Sequence, residues 1–415
     1  MHYFDFHYSW EQRKFGEVFD CTVPNNTLSR AELSYDEGTV LNVHYGDVLI
    51  KYGSVLDVQK DDIPRIPHRC REDFNGALLQ DGDVIIADTA EDETTGKACE
   101  IGNLQGSAIV SGLHTMVCRP RNRMALGYLG YYLNSNAYHH QLLPLMQGIK
   151  VLSLSRSNIQ KTSVSYPSAM KEQQLIASYF SQLDHLITLH QRKYDKLTNV
   201  KKSMLEKMFP QNGSNVPEIR FKGFTEAWEQ RKLSEVASMH ARIGWQNLRT
   251  SEFLDKGDYM LITGTDFVDG SIDYSTCHYV ARERYEQDRN IQISNGSILI
   301  TKDGTLGKVA YVQGLSVPAT LNAGVFNLEI RNVDMIDEKY LFQYLKAPFL
   351  MDYVDKKSTG GTIKHLNQNI LIDFPVIYPT KEEQALIGDY FQGIDNLITL
   401  HQRKPNFYTG GYYAE

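Results

Sequence analysis

The strongest constraint on the fold is an internal repeat, because the octapeptide LITLHQRK occurs twice in the chain, 211 positions apart. Chance recurrence of such a word is negligible, so the repeat marks a duplicated unit. SYFSQLDHLITLHQRK also matches DYFQGIDNLITLHQRK at 11 of 16 positions, and WEQRKFGEV matches WEQRKLSEV at seven of nine. These segments are, in that order, residues 178–193, 389–404, 10–18 and 228–236. The sequence therefore predicts two copies of one structural unit.

The composition is that of an ordinary globular protein, with 415 residues, of which 42% are hydrophobic and 22% are charged. No apolar run approaches the roughly 20 residues that cross a bilayer, and the N-terminus MHYFDFHYSW does not have the pattern of a signal peptide. We therefore expect a cytoplasmic location. The net charge of −7 argues against non-specific coating of nucleic acid, but it leaves room for a local basic face. The five cysteines form no C-x-x-C pair, so neither a disulfide framework nor a zinc knuckle is indicated.

Two segments have the period of a coiled-coil helix, with core-type positions that alternate steps of four and three residues. This heptad seam consists of Ile176, Phe180, Leu183, Ile187, His190, Tyr194, Leu197, Lys201, Met204 and Met208 in the first segment, and of Ile387, Phe391, Ile394, Ile398 and His401 in the second. The two helices are predicted to pair as an antiparallel coiled coil. The polar seam residues are interpreted either as contacts that fix register or bind a partner, or as side chains that reach solvent.

A domain of mixed short strands and helices precedes each long helix. Runs such as GDVLIKYG, DGDVIIAD and NGSILITKDGTLGKVAYV are rich in β-branched residues and contain Gly or Asp-Gly turn signals. Each domain is therefore predicted to be α+β. The predicted boundaries are residues 1–165 for the first domain, 166–209 for the first long helix, 210–226 for a linker, 227–378 for the second domain, 379–404 for the second long helix and 405–415 for an atypical tail.

The motif search indicates neither catalysis nor metal binding. GTLGK has two residues where a phosphate-binding loop requires four, so a hairpin turn explains it better. The acidic run DTAEDET is typical of a solvated loop, and the sequence contains no HExxH spacing. The chain is therefore predicted to bind no metal or cofactor and to catalyse no reaction of its own.

The two copies differ in a systematic way. The long helices and the segments around the two tryptophans are nearly identical, whereas the domain interiors, from about residue 19 to 148 and from about 237 to 361, no longer align. A constant frame with two diverged domains is what the reading of two different sequences requires. Duplex DNA has a two-fold symmetry of its own, which suits a pseudo-two-fold internal repeat.

The chain resembles the specificity (S) subunits of type I restriction-modification systems. The resemblance is carried by VPEIRFKGFTEAWEQRKLSEV, YPSAMKEQQLIASYFSQLDHLITLHQRK and YPTKEEQALIGDYFQGIDNLITLHQRK, at residues 216–236, 166–193 and 378–404, and by the overall plan of domain and helix. It implies two target recognition domains that each read one half of a bipartite DNA target. It also implies that the helices set the spacing between the halves and dock the methyltransferase subunits.

The same resemblance implies the partners and cofactors. Two methyltransferase (M) subunits and the restriction (R) subunits are expected to assemble with this chain on double-stranded DNA. S-adenosylmethionine, ATP and Mg are expected on those partner subunits, and the chain itself is expected to be non-catalytic.

Candidate DNA contacts are polar, basic and aromatic residues on loops, because such side chains read base edges, hold phosphates or stack on bases. They are Lys51, Tyr52, Arg65, His68, Arg69, Gln147 and Lys150 in the first domain, and Arg242, Trp245, Gln246, Asn247, Lys302, Thr305, Lys308, Ser358, Thr359, Thr362 and Lys364 in the second. For each of them, a solvated loop residue without a role in DNA binding is an open alternative.

Two other functions remain open at this point. One is an enzyme that reads and methylates DNA in a single chain, against which the missing cofactor motifs speak. The other is a protein-binding scaffold, such as a truncated or assembly-defective relative of the S subunits. The second long helix has no counterpart of residues 194–208, so this end of the first helix is predicted to lack an intrachain partner. We expect a methyltransferase subunit or a second copy of the chain to cover it.

Overall fold

The computed structural model describes residues 9–211, 213–357 and 366–402. The chain divides into two units, residues 1–188 and residues 189–415, and the division falls inside the first long helix. In the described part, no helix is both long enough and apolar enough to cross a membrane.

The first unit is a mixture of short strands and short helices. Its strands are β1 (Trp10–Lys14), β2 (Phe19–Asp20), β3 (Val40–Val43), β4 (Val55–Asp57), β5 (Arg65–Ile66), β6 (Val84–Ala87), β7 (Thr89–Ala90), β8 (Ala98–Gly102), β9 (Ala108–Ser111), β10 (Thr115–Pro120), β11 (Leu152–Ser153) and β12 (Ser163–Pro167). Its helices are α1 (Phe15–Val18), α2 (Tyr45–Ile50), α3 (Tyr128–Leu133), α4 (Asn136–His139), α5 (Arg156–Ile159) and the first half of α6 (Met170–Lys207).

The core of the first unit is built on a five-stranded sheet in the order β2-β10-β6-β8-β4, with a three-stranded sheet β5-β3-β9 beside it. Strand β6 is buried at every position, because its residues Val84, Ile85, Ile86 and Ala87 are apolar on both faces. The first and last strands, β1 and β12, pair with each other in antiparallel register. Strand β12 is followed directly by α6.

The second unit has the same kinds of element in a different arrangement. Its strands are β13 (Glu229–Lys232), β14 (Ala237–Ala241), β15 (Tyr259–Ile262), β16 (Phe267–Val268), β17 (Ser271–Ile272), β18 (His278–Val280), β19 (Gln292–Ile293), β20 (Ile298–Thr301), β21 (Val309–Tyr311), β22 (Ala319–Leu321), β23 (Val325–Ile330) and β24 (Pro375–Tyr378). Its helices are the second half of α6, α7 (Leu233–Val236), α8 (Arg282–Glu286), α9 (Glu338–Lys346), α10 (Phe349–Lys357), α11 (Gln368–Leu371) and α12 (Lys381–Gln402).

Two four-stranded sheets, β14-β23-β20-β21 and β18-β15-β22-β19, form the core of the second unit. Strand β13 pairs with β24 in antiparallel register just before α12, as β1 pairs with β12 before α6. The strand pair and the long helix therefore recur in both units, whereas the larger sheets differ in strand number and order.

The second half of α6 packs against α12 in antiparallel orientation, and this contact lies within the second unit. Lys201 Nζ is 2.5 Å from Asp395 Oδ1, and the ring of Phe209, just after α6, stacks on Phe391 at a centroid distance of 5.8 Å. His190 Nδ1 lies 2.8 Å from His401 Nδ1, so the two histidines of the repeated octapeptide meet. The residue numbers of the contacts therefore increase along α6 while those of their partners decrease along α12, as antiparallel helices require.

One prediction about this helix is wrong. Residues 194–208 were expected to lack an intrachain partner, but Lys201, Leu205 and Met208 are buried against the second domain and α12. The physical reason is the antiparallel pairing, in which the start of α12 covers the end of α6. The exposed apolar residues of α6 lie earlier in the helix, between residues 175 and 189.

Candidate DNA-binding surfaces and the helical frame

A buried glutamine fastens each domain to its own long helix. Gln173 Oε1 accepts a hydrogen bond from the Ala125 N–H at 2.9 Å, and its Nε2 donates to the Pro167 carbonyl at 2.9 Å. Gln384, at the equivalent position of the repeat, accepts from the Asp337 N–H and donates to the Pro379 carbonyl at the same distances. Because both glutamines use both ends of the amide in a buried setting, each domain is held in a defined orientation on its helix.

The sequence reasoning missed these glutamines. Their signal was available, since Gln173 and Gln384 lie 211 residues apart like the two octapeptides. A polar side chain on the inner face of an amphipathic helix gives no indication of which backbone groups it will meet.

The polar seam positions of the long helices also prove to be paired within the second unit. Burial, together with the nearby ammonium of Lys346, lowers the pKa of Lys201 despite its ion pair with Asp395. Gln343 Nε2 donates to the other oxygen of Asp395 at 2.9 Å. Partial burial and the neighbouring Lys193 and His190 lower the pKa of His401. The sequence left two interpretations of Lys201 open. Because its ammonium is buried and paired with Asp395, the structure supports the interpretation in which Lys201 fixes the pairing of the two helices.

Three basic side chains of the first domain, those of Arg30, Lys51 and Arg65, form a cluster around the exposed Tyr35. Arg30 Nη2 donates to the Tyr35 hydroxyl at 2.6 Å, and Lys51 Nζ lies 4.6 Å from the centre of the Tyr35 ring. Arg65 Nη1 donates to the Tyr35 carbonyl at 3.2 Å. Lys51 and Arg65 are sequence candidates that the fold brings together, whereas Arg30 and Tyr35 were not predicted. Their convergence depends on pairing between distant segments, which a linear pattern does not show.

The charge of this cluster is partly neutralised. Asp47 binds Arg30 at 2.5 Å, and Asp62 binds Lys51 at 2.9 Å. Asp47 is buried, whereas Asp62 is exposed, so the pairing of Lys51 is open to competition from a phosphate. A basic, aromatic surface of this kind suits contact with a nucleic-acid backbone.

The remaining candidates of the first domain are mostly on exposed loops. His68 and Arg69 are exposed just after β5, and Gln147 and Lys150 are exposed just before β11. Tyr52 is buried beneath Lys51, and its burial raises the pKa of its hydroxyl far above the usual value. The side chain of Tyr52 lies inside the domain, which corrects its selection as a direct DNA contact.

The second domain presents a compact loop between β20 and β21. The Thr301 hydroxyl bonds the Thr305 carbonyl and accepts from the Lys308 N–H, which closes the loop at its base. Gly304 and Gly307 have φ angles of 73° and 72°, a conformation that glycine adopts without strain. Thr305 and Lys308 are exposed, and Lys302 Nζ lies 5.4 Å from the centre of the Phe326 ring. These three sequence candidates therefore share one loop that is closed by hydrogen bonds at its base.

Two other candidates of the second domain are internal. Arg242 is only 2% exposed and donates to the carbonyls of Leu321 and Gln246 at 2.9 and 3.1 Å. Gln246 is also buried and donates to Asp288 at 3.3 Å. Burial makes both residues structural in this arrangement, which corrects their selection as direct DNA contacts. Their segment ARIGWQNLR has the polar residues of a surface loop. Hydrogen bonds to the Leu321 carbonyl and to the Asp288 carboxylate, both distant in sequence, hold the two side chains inside the domain.

The other candidates of this domain are placed unequally. Asn247 is exposed. Ser358, Thr359, Thr362 and Lys364 lie outside the described residues, as does the side chain of Trp245. These residues, like the exposed ones above, stay predictions.

A cleft of about 1260 Å³ in the first unit is lined by acidic and basic side chains. Several of these side chains are already paired with other groups of the protein. Glu100 accepts from the Gly130 N–H at 2.9 Å, and burial raises the pKa of its carboxyl to about 7. Asp83 binds Arg119 through two hydrogen bonds of 2.8 and 2.7 Å. Among the residues that the structure describes, no group of three or more potential metal ligands converges.

The long helices carry equivalent exposed apolar stripes, here called the outer stripes. They consist of Leu175, Tyr179, Leu186 and Leu189 on α6, and of Leu386, Tyr390, Leu397 and Leu400 on α12. Each member of one stripe lies 211 residues from its counterpart, and all are 36–61% exposed. At 100° per residue, the stripe lies roughly 90° from the heptad seam, so it is a separate face of the helix.

The chain belongs to the family described as type I restriction modification DNA specificity domain, whose model matches residues 8–199 and 225–407. Two copies of the domain in one chain agree with the predicted repeat of α+β target recognition domains. Membership also confirms the resemblance to S subunits and the prediction of a non-catalytic subunit.

Individual relatives are distant in sequence. The type I restriction enzyme MjaVIII specificity subunit of Methanocaldococcus jannaschii is 24% identical over 248 residues, which are 57% of this chain and 56% of that protein. The match therefore spans little more than half the length of that relative. The putative type I restriction enzyme MjaX specificity subunit of the same organism is 21% identical over 86% of this chain and 79% of that protein.

A solved structure shares the fold. The S subunit of a type I restriction-modification system from M. genitalium superposes with a TM-score of 0.55 at 14% sequence identity, covering 95% of this chain and 91% of that chain. At this identity the likeness shows the fold alone.

Proposed function

We propose that the two domains of this chain each read one half of a bipartite DNA target, and that the long helices dock two methyltransferase subunits. One observation carries this proposal. The strand pair, the buried glutamine and the long helix are repeated, while the larger sheets differ, with a five-stranded sheet in one unit and two four-stranded sheets in the other. A constant frame presents two unlike surfaces, which is the requirement for reading two unlike half-sites.

Direct contact with DNA is proposed for the exposed loop candidates and for the partly exposed Arg65 of β5. Lys308 and Thr305 sit on the closed loop of the second domain, and Lys51, Arg65 and Arg30 surround Tyr35 in the first. Lysine and arginine supply the phosphate contacts that dominate affinity, while hydroxyl, amide and guanidinium groups on rigid loops read base edges. The half-site sequences follow from loop geometry and DNA shape as well as from side-chain identity.

The outer stripes are the proposed docking faces for methyltransferase subunits. Two stripes with the same spacing, and with Leu, Tyr, Leu and Leu in the same order, suit two copies of one partner. Apolar residues that recur along one helix face and remain exposed mark interaction sites in folded proteins. The restriction subunits, and the S-adenosylmethionine, ATP and Mg of the assembly, are proposed to belong to the partner chains.

The test is DNA binding by the full chain, together with its methyltransferase partner, over a series of salt concentrations. We expect affinity to fall steeply with salt, because phosphate contacts release counterions. The double variant Lys302→Ala/Lys308→Ala should reduce the slope of log affinity against log salt by about 2, which is roughly 1 per lost phosphate contact. The matched control Lys171→Ala/Lys207→Ala, on α6, removes the same charge and should leave the slope unchanged. A flat salt response would favour a protein-binding scaffold instead.

A further inference from the structure

In the second unit, an aromatic socket holds the ring of Phe209 at the end of the first long helix. Its walls include Phe391 at a centroid distance of 5.8 Å, Tyr344 at 5.5 Å, Tyr340 at 5.7 Å and Trp228 at 6.4 Å. Phe209 is fully buried there, with Leu205 and Met208 in the same cluster. The socket thus anchors an amphipathic helix end through one phenyl ring.

The first unit carries aromatic residues of the same types at the equivalent positions of the repeat, and this set is here called the first socket. The repeat places Phe180 where the second unit has Phe391, and Trp10 where it has Trp228. Tyr128 and Tyr132 correspond to Tyr340 and Tyr344, and the two tyrosine rings stack in both units, at 6.0 and 6.2 Å. All four aromatic residues are therefore identical in type and occupy equivalent elements.

The two sockets differ in how far their tryptophan and phenylalanine are covered, whereas Tyr128 and Tyr340 are buried in both units. Trp10 is 49% exposed and Phe180 is 38% exposed, whereas Trp228 and Phe391 are 4% and 0% exposed. The heptad seam beside the socket follows the same trend, since Ile187 is 49% exposed while its counterpart Ile398 packs against the core. The outer stripes, by contrast, are exposed in both units, so the difference is specific to the socket and its seam.

A charged position is also duplicated. In the second unit, Asp395 of α12 receives Lys201 of the docked helix at 2.5 Å. Its counterpart in the first unit is Asp184, which is exposed and accepts the Tyr131 hydroxyl at 2.7 Å. A helix that placed its aromatic ring in the first socket in the same way would bring a lysine, eight residues earlier, to Asp184.

We propose that the socket of the first unit is a docking site for an amphipathic helix of the type of residues 194–209, presented by a separate polypeptide. The occupant is defined by its chemistry: a phenyl ring at its C-terminal end, Met and Leu at the positions of Met204, Leu205 and Met208, and a lysine eight residues before the phenylalanine. This inference rests on the repeat and on side-chain exposure, and it is independent of DNA reading.

The test uses the full chain and a labelled synthetic peptide, YDKLTNVKKSMLEKMF, which corresponds to residues 194–209. We expect saturable binding in fluorescence anisotropy, weakened at least tenfold by Phe180→Asp in the protein or by F209A in the peptide. Burial of Trp10 should also shift the tryptophan emission of the protein, and Trp10→Phe should abolish that shift.

Charge reversal tests the predicted orientation. Asp184→Lys in the protein should weaken binding of the peptide, and a peptide carrying K201E should recover affinity for that variant. The control His185→Asp lies on the opposite side of the helix from the seam and should leave peptide binding unchanged.

Three results would overturn the proposal. The first is the absence of saturable binding, and the second is binding that is insensitive to Phe180→Asp, which would place the peptide elsewhere. The third is a wild-type dimer that Phe180→Asp converts to a monomer, since a second copy would then be the occupant. Unfolding curves of Phe180→Asp and His185→Asp, measured in parallel, distinguish lost binding from lost structure.

Discussion

At the residue scale, equivalent positions of the repeat have unequal energetic importance. Phe391 is fully buried and stacked on Phe209, whereas Phe180, its counterpart, is partly exposed beside Tyr131 and Tyr179. The hydrophobic contribution of a phenyl ring depends on how much of its surface is removed from water and on the cavity that its loss leaves.

We therefore expect Phe391→Ala to lower the free energy of unfolding of the second unit by about 3–5 kcal/mol. Phe180→Ala, the matched substitution in the first unit, should cost less than about 1 kcal/mol, because a partly exposed side chain leaves no closed cavity. Thermal or denaturant unfolding of the two variants measures the difference. Equal destabilisation would show that the two sockets are filled alike in solution.

At the element scale, the two long helices have two distinct apolar faces. One is the seam, which pairs α6 with α12 inside the second unit, and the other is the outer stripe, which remains exposed. The heptad pattern predicted that the helices pair, and the structure shows an antiparallel pair around Lys201 and Asp395. It did not predict which half of α6 is covered, because periodicity gives the face of a helix and not the direction of its partner.

If the outer stripes dock methyltransferase subunits, each stripe should bind one copy. Tyr179→Asp and Tyr390→Asp should each reduce the assembly from two methyltransferase subunits per chain to one, and the double variant should bind none. Buried charge at an apolar interface is costly, which is the physical reason for the loss. The mass of the complex, measured by light scattering, gives the stoichiometry.

Two substitutions at equivalent positions outside the stripes serve as controls. His185→Asp places a carboxylate at an exposed position of α6, and Asn396→Asp places one at the equivalent exposed position of α12. Both variants should retain two methyltransferase subunits. Retention of two subunits by the Tyr179→Asp/Tyr390→Asp variant would mean that docking uses another surface.

At the scale of the whole molecule, the duplicated plan and the α+β class were predictable, whereas the recognition surfaces were not. The octapeptide and its flanks lie on a helix whose period is visible in sequence, so the frame follows from local pattern. Arg242 and Tyr52 were placed on the surface by their loop context, but distant carbonyl groups and core packing hold them inside. Tyr35 and Arg30 reach the candidate surface only through tertiary pairing.

The most direct test of the central claim is a map of methylated adenines in cells that contain this chain and its methyltransferase partner, with one domain exchanged at a time. We expect a split motif with one modified adenine in each half. Replacing residues 19–148 with the equivalent domain of a relative should change one half of the motif only, and replacing residues 237–361 should change the other half only. A change in both halves upon either exchange, or the absence of a split motif, would contradict the proposal that each unit reads its own half-site.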